Sequence, residues 1–344
     1  MRPDFTPRRL VPLVIVLGLA SGFLAPSAAT AATSAPAATA DGPSWSVGPV
    51  NGSDGAVRPN FNYSVDPGTV ITDSITVRND GGADLTVDIY PADAFTTREG
   101  NIDVLTTGSE SVDAGTWVSL TATSLTLVPG QETVVPFTVT IPADASPGDH
   151  PAGIVTSLRT EDSTAQVQLD RRLGSRMQIR VSGELVPAAE VSKPVITFSG
   201  GWNPLAEGFV TVDYSLTNAG NTRITALANV TLSGPFGLAE VTTAERQLNE
   251  ILPGSTIDVT EEVDGVAALF WLAGSVVVAP SSVGFGAATM DVVLADVSVA
   301  AVPYAALLIL LVVAAAIVAA VLIVRRRGTR AGRDARSAGA PPAH

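Results

Sequence analysis

The sequence predicts an all-β protein: two tandem immunoglobulin-like β-sandwich domains followed by one transmembrane helix. Three observations lead to this prediction. Short stretches of alternating apolar and polar residues, typical of half-buried strands, run from residue 45 to residue 298. Asn/Gly and Pro-Gly turn signals separate these stretches at the regular spacing that sandwich domains show. A long uncharged segment then precedes a cluster of arginines, which is the pattern of a membrane anchor.

The N-terminus has the features of a secretory signal peptide. A basic start is followed by the apolar stretch Leu10–Leu24, and residues 1–31 are predicted to be removed during export. Ala29-Thr30-Ala31 and Ala38-Thr39-Ala40 both fit the small-residue cleavage pattern, so both remain candidate cleavage sites. Residues 32–44 are rich in Ala, Ser, Thr and Pro and are predicted to form a disordered leader.

Residues 45–186 are predicted to form the first sandwich. Val70–Val77 and Leu85–Tyr90 alternate, and they flank the turn Asn79-Asp80-Gly81-Gly82. Glycines in that turn supply the positive φ that a hairpin needs. Thr133–Ile141 alternates in the same way after a Pro-Gly turn. No amphipathic helix of useful length interrupts these strands, which favours an all-β domain.

The pattern then repeats. Residues 187–194 hold two prolines and are predicted to be a stiff linker, and residues 195–298 are predicted to form a second sandwich. Phe209–Leu216, an Asn/Gly turn and Ile224–Leu232 follow the order seen in the first domain. Leu252-Pro253-Gly254 then matches the earlier Val128-Pro129-Gly130. A chance likeness between two domains of one class is the alternative to a true repeat.

The C-terminal anchor is the uncharged segment Val297–Val324, which Arg325-Arg326-Arg327 follows directly. Counted from Pro303, a helix of this segment is roughly 33 Å long at 1.5 Å per residue, which spans a hydrocarbon core of about 30 Å. Residues 299–324 are therefore predicted to cross the membrane, with the arginines on the cytoplasmic side. Residues 325–344 are predicted to be a basic cytoplasmic tail, too short to fold. The domains before the helix then face the cell wall.

Charge and composition exclude several functions. Between residues 41 and 300 the chain holds 31 acidic and 11 basic side chains, a net charge of −20. Nucleic acid is excluded as a partner, because Lys and Arg supply most of the affinity for it. The chain contains no cysteine, so disulfides contribute nothing to its stability. An exported chain without cysteine, rich in Ala and poor in Lys, is typical of a Gram-positive surface and of a high-GC actinobacterium.

Residues that carry enzymatic chemistry are scarce. The chain has two histidines, His150 and His344, and no G-x-S-x-G motif. A Ser-His-Asp triad could therefore use only His150, without the motif that often carries the nucleophile. No spacing of His, Asp and Glu matches a zinc site or an EF-hand calcium loop. Nothing marks a facing pair of carboxylates as in a glycosidase. The sequence predicts a non-enzymatic protein without cofactor or metal.

Aromatic side chains remain as candidates for ligand contact, because exposed rings stack on sugars. Trp45, Phe61 and Tyr63 lie in a stretch rich in Gly, Asn and Pro, and Trp117 begins the short predicted strand Trp117–Leu120. Core packing is the alternative explanation for each of these residues, and Val118 and Leu120 beside Trp117 favour it there; both explanations stay open at this point.

Three blocks of the first domain carry a family resemblance. Val65–Gly81 reads V-D-P-G-T-V-I-T-D-S-I-T-V-R-N-D-G, Leu127–Val155 contains S-P-G-D-H-P-A-G-I-V, and Arg172–Glu184 reads R-L-G-S-R-M-Q-I-R-V-S-G-E. Together they resemble the peptidoglycan-binding domain of WxL-interacting cell-surface proteins, in its actinobacterial form. The order of signal peptide, this domain, a second β-domain, membrane helix and basic tail also resembles that family.

The resemblance implies a membrane-anchored cell-surface protein whose first domain binds peptidoglycan. It implies that the second domain binds a protein partner, either a WxL-domain protein or another surface protein. One residue departs from the pattern, because His150 stands where an aromatic is expected. The alternative is an adhesin or interaction scaffold that recruits proteins by strand addition and has no glycan affinity. The candidate glycan contacts are Trp45, Phe61, Tyr63, Trp117 and His150.

Overall fold

The computed structural model describes residues 42–52, 55–160, 169–203, 206–284 and 289–337. The predicted signal peptide, most of the leader and His344 lie outside these residues. The predicted fold class is confirmed: two immunoglobulin-like β-sandwiches follow one another, and one apolar helix ends the described chain. Residues from Gly42 onward form one compact unit.

The first domain packs a four-stranded sheet against a six-stranded one. The four-stranded sheet has the order β1-β3-β8-β6, and the larger sheet has the order β2-β10-β9-β4-β5, with β7 also paired to β4. All pairs are antiparallel except β2 with β10. Inward residues of both sheets, among them Phe61, Phe137 and Ile154, are fully buried. The strands are β1 Trp45–Pro49, β2 Phe61–Val65, β3 Val70–Asn79, β4 Leu85–Thr96, β5 Ile102–Val104, β6 Val118–Leu120, β7 Ser124–Leu127, β8 Glu132–Thr140, β9 Gly148–Thr160 and β10 Leu169–Val181.

The second domain is built in the same way. Strands β11 and β12 both pair with β13, which pairs with β17, while the opposite sheet has the order β15-β14-β18-β19 with β16 on β14. Val212, Val230 and Val276 lie in the core between the sheets. The strands are β11 Ala189–Val191, β12 Val195–Ser199, β13 Gly208–Asn218, β14 Ile224–Ser233, β15 Val241–Thr242, β16 Arg246–Gln247, β17 Thr256–Val266, β18 Phe270–Ser282 and β19 Val293–Ala301.

A buried asparagine organises the same turn in both domains. Asn79 donates from Nδ2 to the carbonyls of Ala83 and Leu127, and its Oδ1 accepts from the N–H of Gly81. Asn218 does the same with Thr222, Ile251 and Gly220. The backbones of both asparagines also bond to the Pro-Gly turn. The shared network supports a true repeat.

Two segments form strands that the sequence did not predict: the first half of β10, and part of the predicted linker. β10 begins at Leu169, although alternation in the sequence indicates a strand only from Arg176. The first half of β10 is rich in Asp and Arg side chains, so its sequence shows no regular alternation of apolar and polar residues. Ala189–Val191, inside the predicted linker 187–194, forms β11 and pairs with β13. The connection is therefore partly a strand of the second domain, because Val191 packs against its core.

The C-terminal helix, predicted as a membrane anchor, starts later and ends later than expected. β19 continues to Ala301, because Val297 and Ala301 still face the core, and the helix α1 runs over Tyr304–Ser337. Its apolar part, Tyr304–Arg326, has a mean hydropathy of 3.5 and is not covered by other parts of the described chain. This part is a candidate membrane span. The tail is helical as far as Ser337, contrary to the expectation that it is too short to fold, because it continues an existing helix and needs no nucleus of its own.

Candidate functional site

Two of the predicted aromatic contacts are buried. Phe61 lies at the centre of the first core with its ring edge-on to Phe137, 5.1 Å between centroids. Trp45 is 6% exposed, and its Nε1 donates to the Thr156 hydroxyl at 2.8 Å. Arg171 lies over its ring. Neither ring therefore offers a free face to a sugar, and both have a packing role in this structure.

Tyr63 is partly exposed, but its hydroxyl is hydrogen-bonded within the protein. Its Oη donates to Asp73 Oδ2 at 2.7 Å, and Arg58 forms two further bonds to the same carboxylate. Burial and the bond to Asp73 raise the pKa of Tyr63, so the phenol stays neutral and acts as donor. Its polar end is therefore used inside the protein, and only part of its ring remains for contact with a ligand.

Trp117 and His150 lie together. Their ring centroids are 4.7 Å apart, at the end of the short 3-10 helix Ala114–Trp117. Asp93 holds the start of this helix by accepting from three backbone N–H groups. His150 lies in β9 and is 8% exposed, whereas Trp117 is half-buried. Trp117 is thus the other predicted aromatic that keeps accessible surface.

His150 is bound as a cation. Its Nδ1 is 2.8 Å from Asp113 Oδ1 and its Nε2 is 2.8 Å from the Ser146 carbonyl. Both partners are acceptors, so both ring nitrogens donate and the ring is an imidazolium. Burial alone lowers the pKa of His150, but these bonds and the charges of Asp113 and Asp149 raise it above the usual 6.5. The residue joins the loop before β9 to the loop before the 3-10 helix.

This arrangement predicts a pH-dependent stability. A raised folded pKa means that the contribution of His150 is fully present at acidic pH and is lost as pH rises above 6.5 through the folded value. The stability difference between the wild-type chain and His150→Gln should therefore shrink between pH 5.5 and pH 9, measured by urea unfolding. His344→Gln, which changes the other histidine of the chain, is the matched control and should leave the profile unchanged. A difference of equal size at both pH values would contradict the cationic assignment.

The outer face of the larger first-domain sheet carries an arginine row that sequence reasoning missed. Arg172, Arg176 and Arg180 recur every fourth residue along β10, so all three point away from the core. With Arg171, they account for four of the 11 basic residues between positions 41 and 300. The sequence of residues 171–180, R-R-L-G-S-R-M-Q-I-R, already contains this spacing of arginines. We refer to the surface around Arg172, Arg176 and Arg180 as the arginine face.

Two pockets lie on the arginine face. The first has a volume of about 500 Å³ and is lined by Arg172 and Arg176 together with Asp103 and Asp170. Gly153 and Gly174 also line it, where the backbone itself forms the surface. A Cβ at Gly153 would approach Val104 to 3.0 Å. The pocket is therefore lined by guanidinium and carboxylate groups, and by backbone where the two glycines lie.

The second pocket has a volume of about 460 Å³ and lies where the two domains meet. It presents amides, hydroxyls and guanidinium groups, a donor-rich lining that suits a polar ligand with hydroxyls, amides or carboxylates. Its lining residues are Asn62, Tyr63, Ser64, Asp149, Gln178, Arg180, Arg223 and Gly284.

Asp149 connects the domains behind this pocket. Its carboxylate accepts from Arg180 Nε and Nη2 at 2.7 and 2.6 Å and from the backbone N–H of Arg223 at 2.8 Å. Arg223 in turn bonds Gln178 and Glu250. We call these five residues the Asp149 clasp. Burial by itself raises the pKa of Asp149, but the bonds and charges of the two arginines bring it below 3.8, so the carboxylate is ionised at neutral pH.

The structure shows how the metal-ligating side chains and His150 are placed in the described part of the chain. Within those residues, no group of three or more His, Asp and Glu side chains is placed to hold a metal ion. His150, the one histidine that the structure describes, donates both protons to fixed acceptors and has no free lone pair to act as a base.

Comparisons with known proteins give fold neighbours only. No protein-family model and no curated protein matches the chain. Among solved structures, the chaperone CfaA of class 5 fimbriae is 11% identical with a TM-score of 0.35, over 73% of this chain and 99% of that chain. The YadV chaperone is 11% identical with a TM-score of 0.31, over 74% and 98%. A PapD-like domain of human CEP192 is 12% identical with a TM-score of 0.25, over 40% and 86%. These likenesses concern β-sandwich architecture alone.

Proposed function

We propose that this chain is a non-enzymatic, membrane-anchored cell-surface protein whose outer domain binds peptidoglycan. The arginine face with its two pockets is the observation that carries the proposal. Peptidoglycan presents hydroxyls, acetamides and the charged groups of its stem peptides. A lining of guanidinium, amide and carboxylate groups matches this mixture, whereas an acidic surface alone does not. The resemblance of the first domain to the WxL-interacting family agrees with this proposal.

We infer the position of the arginine face relative to the wall from the helix α1. In the proposed topology α1 crosses the membrane, both sandwiches lie outside and the basic tail lies inside. The first domain meets the second at the end of β14 and β18 that is farther from α1, near Arg223 and Val283. With β18 13 residues long, the second domain holds the first roughly 40 Å outward. The Asp149 clasp keeps the two domains at a fixed angle.

Substitution of Arg176 tests the proposed wall contact. Its side chain is 39% exposed and its nearest acid, Glu250, is 3.9 Å away, so the fold loses little without it. A charge-assisted hydrogen bond to a ligand contributes about 1.5–3 kcal/mol. Arg176→Ala should therefore weaken binding about 10- to 100-fold. The measurement is co-sedimentation of the full chain, in detergent micelles, with purified sacculi at low salt.

Arg78→Ala is the matched control. Arg78 lies on β3 in the opposite sheet, is 52% exposed and pairs with Asp80 at 3.0 Å, so its loss should not change sedimentation. Wild-type chain that stays in the supernatant would exclude peptidoglycan binding. Equal sedimentation of wild type and Arg176→Ala would show that the contact with peptidoglycan does not involve the arginine face. Trp117→Ala would then test the predicted aromatic contact.

The second domain is proposed to bind a protein partner. The outer face of its β14-β18-β19 sheet carries apolar side chains: Leu227 and Leu294 are 40% and 64% exposed, and Val277 lies directly opposite Leu294. A contiguous apolar patch on one sheet face favours a protein interaction site over a purely solvated surface. A photoreactive amino acid placed at position 294 in whole cells should cross-link the chain to a surface protein. Recovery of proteins without wall fragments would instead support the adhesin or scaffold alternative.

A further inference from the structure

Large apolar side chains cluster on the second domain where α1 begins. Trp202 is 77% exposed, Phe236 is fully exposed, and Phe270 and Trp271 are 57% and 51% exposed. Tyr304, the first residue of α1, is 48% exposed. We call these five residues the aromatic collar. Exposed rings in such number are unusual on a surface that faces only water.

Strand pairing brings the collar to one end of the domain. Phe270 opens β18 opposite Ala301, the last residue of β19, so it lies beside the start of α1. Phe236 follows β14, whose end pairs with the same part of β18. Gly201 accepts a hydrogen bond from the N–H of Ala305, and Trp202 stacks on Tyr304 with centroids 5.0 Å apart. Three separate segments and the start of the helix thus lie at the same end of the domain.

Backbone conformation distinguishes the same end. Among the described residues, non-glycine side chains at positive φ occur at Phe236 (61°), Ala239 (50°) and Phe270 (71°), all within this region. Phenylalanine is rarely found in left-handed backbone. Such conformations persist where the surroundings fix them, and they cluster at binding sites. The two phenylalanines in this conformation, Phe236 and Phe270, are both exposed.

The partner that fits is a bilayer surface. The candidate span begins at Tyr304, so the rings of the collar lie at the depth where an inserted helix enters lipid. Trp, Tyr and Phe are the residues that favour this interfacial layer. The charged side chains in these loops include Glu207 and Glu240, which would not attract anionic headgroups. Apolar insertion, without electrostatic attraction, therefore explains the surface.

We propose that the aromatic collar inserts into the interfacial layer of the membrane from which α1 emerges, and that it fixes the tilt of both domains on the bilayer. The proposal rests on the membrane anchoring of the proposed function. A helix alone would let the ectodomain pivot about Val302 and Pro303. Rings placed around the helix on three segments remove that freedom and keep the arginine face at one orientation to the wall.

Tryptophan quenching by brominated lipid tests the insertion. The full chain is reconstituted in phosphatidylcholine vesicles whose acyl chains are brominated close to the headgroup. Two of the four tryptophans, Trp202 and Trp271, belong to the collar, and Trp45 and Trp117 lie in the first domain. We expect the wild-type emission to be partly quenched and the quenchable fraction to disappear in Trp202→Phe/Trp271→Phe. Both replaced rings are exposed, so the variant keeps its core.

Flotation of the same vesicles separates the two proposals. Chain that floats with the vesicles but shows no quenching would overturn the collar and leave the anchor intact. Chain that does not float would overturn the anchor and, with it, the collar. Quenching that is unchanged in the double variant would also overturn the proposal, because the contact would then come from the first domain. Quenching should persist at high salt, since no charge attraction is involved.

Discussion

Replacing Asp149 with alanine is expected to lower the free energy of unfolding by about 3–5 kcal/mol, because it removes the buried carboxylate that pairs with the Arg180 guanidinium and accepts from the backbone N–H of Arg223. The Asp149 side chain is 4% exposed, and Arg180 and Arg223 are 13% and 11% exposed. Urea unfolding of the full chain in micelles measures the change. We also expect one cooperative transition to become two, because the domains lose a buried ion pair that couples them.

A second ion pair across the same boundary provides the control. Arg98 of the first domain pairs with Asp258 of the second at 3.2 Å, but their side chains are 64% and 57% exposed. An exposed pair contributes about 0–1 kcal/mol, so Arg98→Ala should change the free energy of unfolding little and keep a single transition. Equal effects of the two substitutions would show that burial is not what makes the Asp149 clasp strong.

Acid should weaken the clasp only at low pH. The folded pKa of Asp149 lies below 3.8, so its contribution is present above the unfolded value and is lost as pH falls through the folded one. Because this window lies well below the His150 window, the two titrations are separable in one pH series. The clasp thus holds the domain angle across the neutral range in which the arginine face would act.

Replacing the buried turn asparagine is expected to cost about 2–4 kcal/mol in either domain, since two carbonyls and one N–H lose their partner at once. Asn79→Ala tests the first domain and Asn218→Ala the second, both by urea unfolding. The repeat predicts effects of similar size, because the hydrogen-bond networks match. Aspartate at either position should not rescue the turn, because a carboxylate cannot donate to the carbonyls.

Asn51→Ala serves as the matched control for this pair. Asn51 is exposed in the loop after β1, so its replacement should stay within about 0.5 kcal/mol of wild type. An Asn79→Ala variant as stable as the control would show that the turn is held by its glycines and backbone bonds alone. Unequal losses at Asn79 and Asn218 would indicate that the contact of Ser255 with Thr96, across the domain boundary, adds to the second turn.

Part of the site was readable before the fold was known. The period-four arginines from Arg172 to Arg180 lie on a strand, so they share one face whatever the rest of the fold does. His150 was recognisable as an isolated titratable residue. Its partner Asp113 was not, because nothing local relates positions 37 residues apart. The exposed or buried state of Trp45, Phe61, Tyr63 and Trp117 was equally undecided, since aromatic residues serve both cores and surfaces.

The sequence by itself determined the fold class, the repeated turns and the apolar helix, because alternation, turn chemistry and an uncharged run are local properties of the chain. Only the tertiary structure decided what depends on distant pairing: the burial of Trp45 and Phe61, the Asp149 clasp that joins the domains, and the aromatic collar at the start of α1. Asp149 meets Arg223 across 74 positions of sequence. Such contacts follow from the packing of whole sheets, which no short stretch of residues specifies.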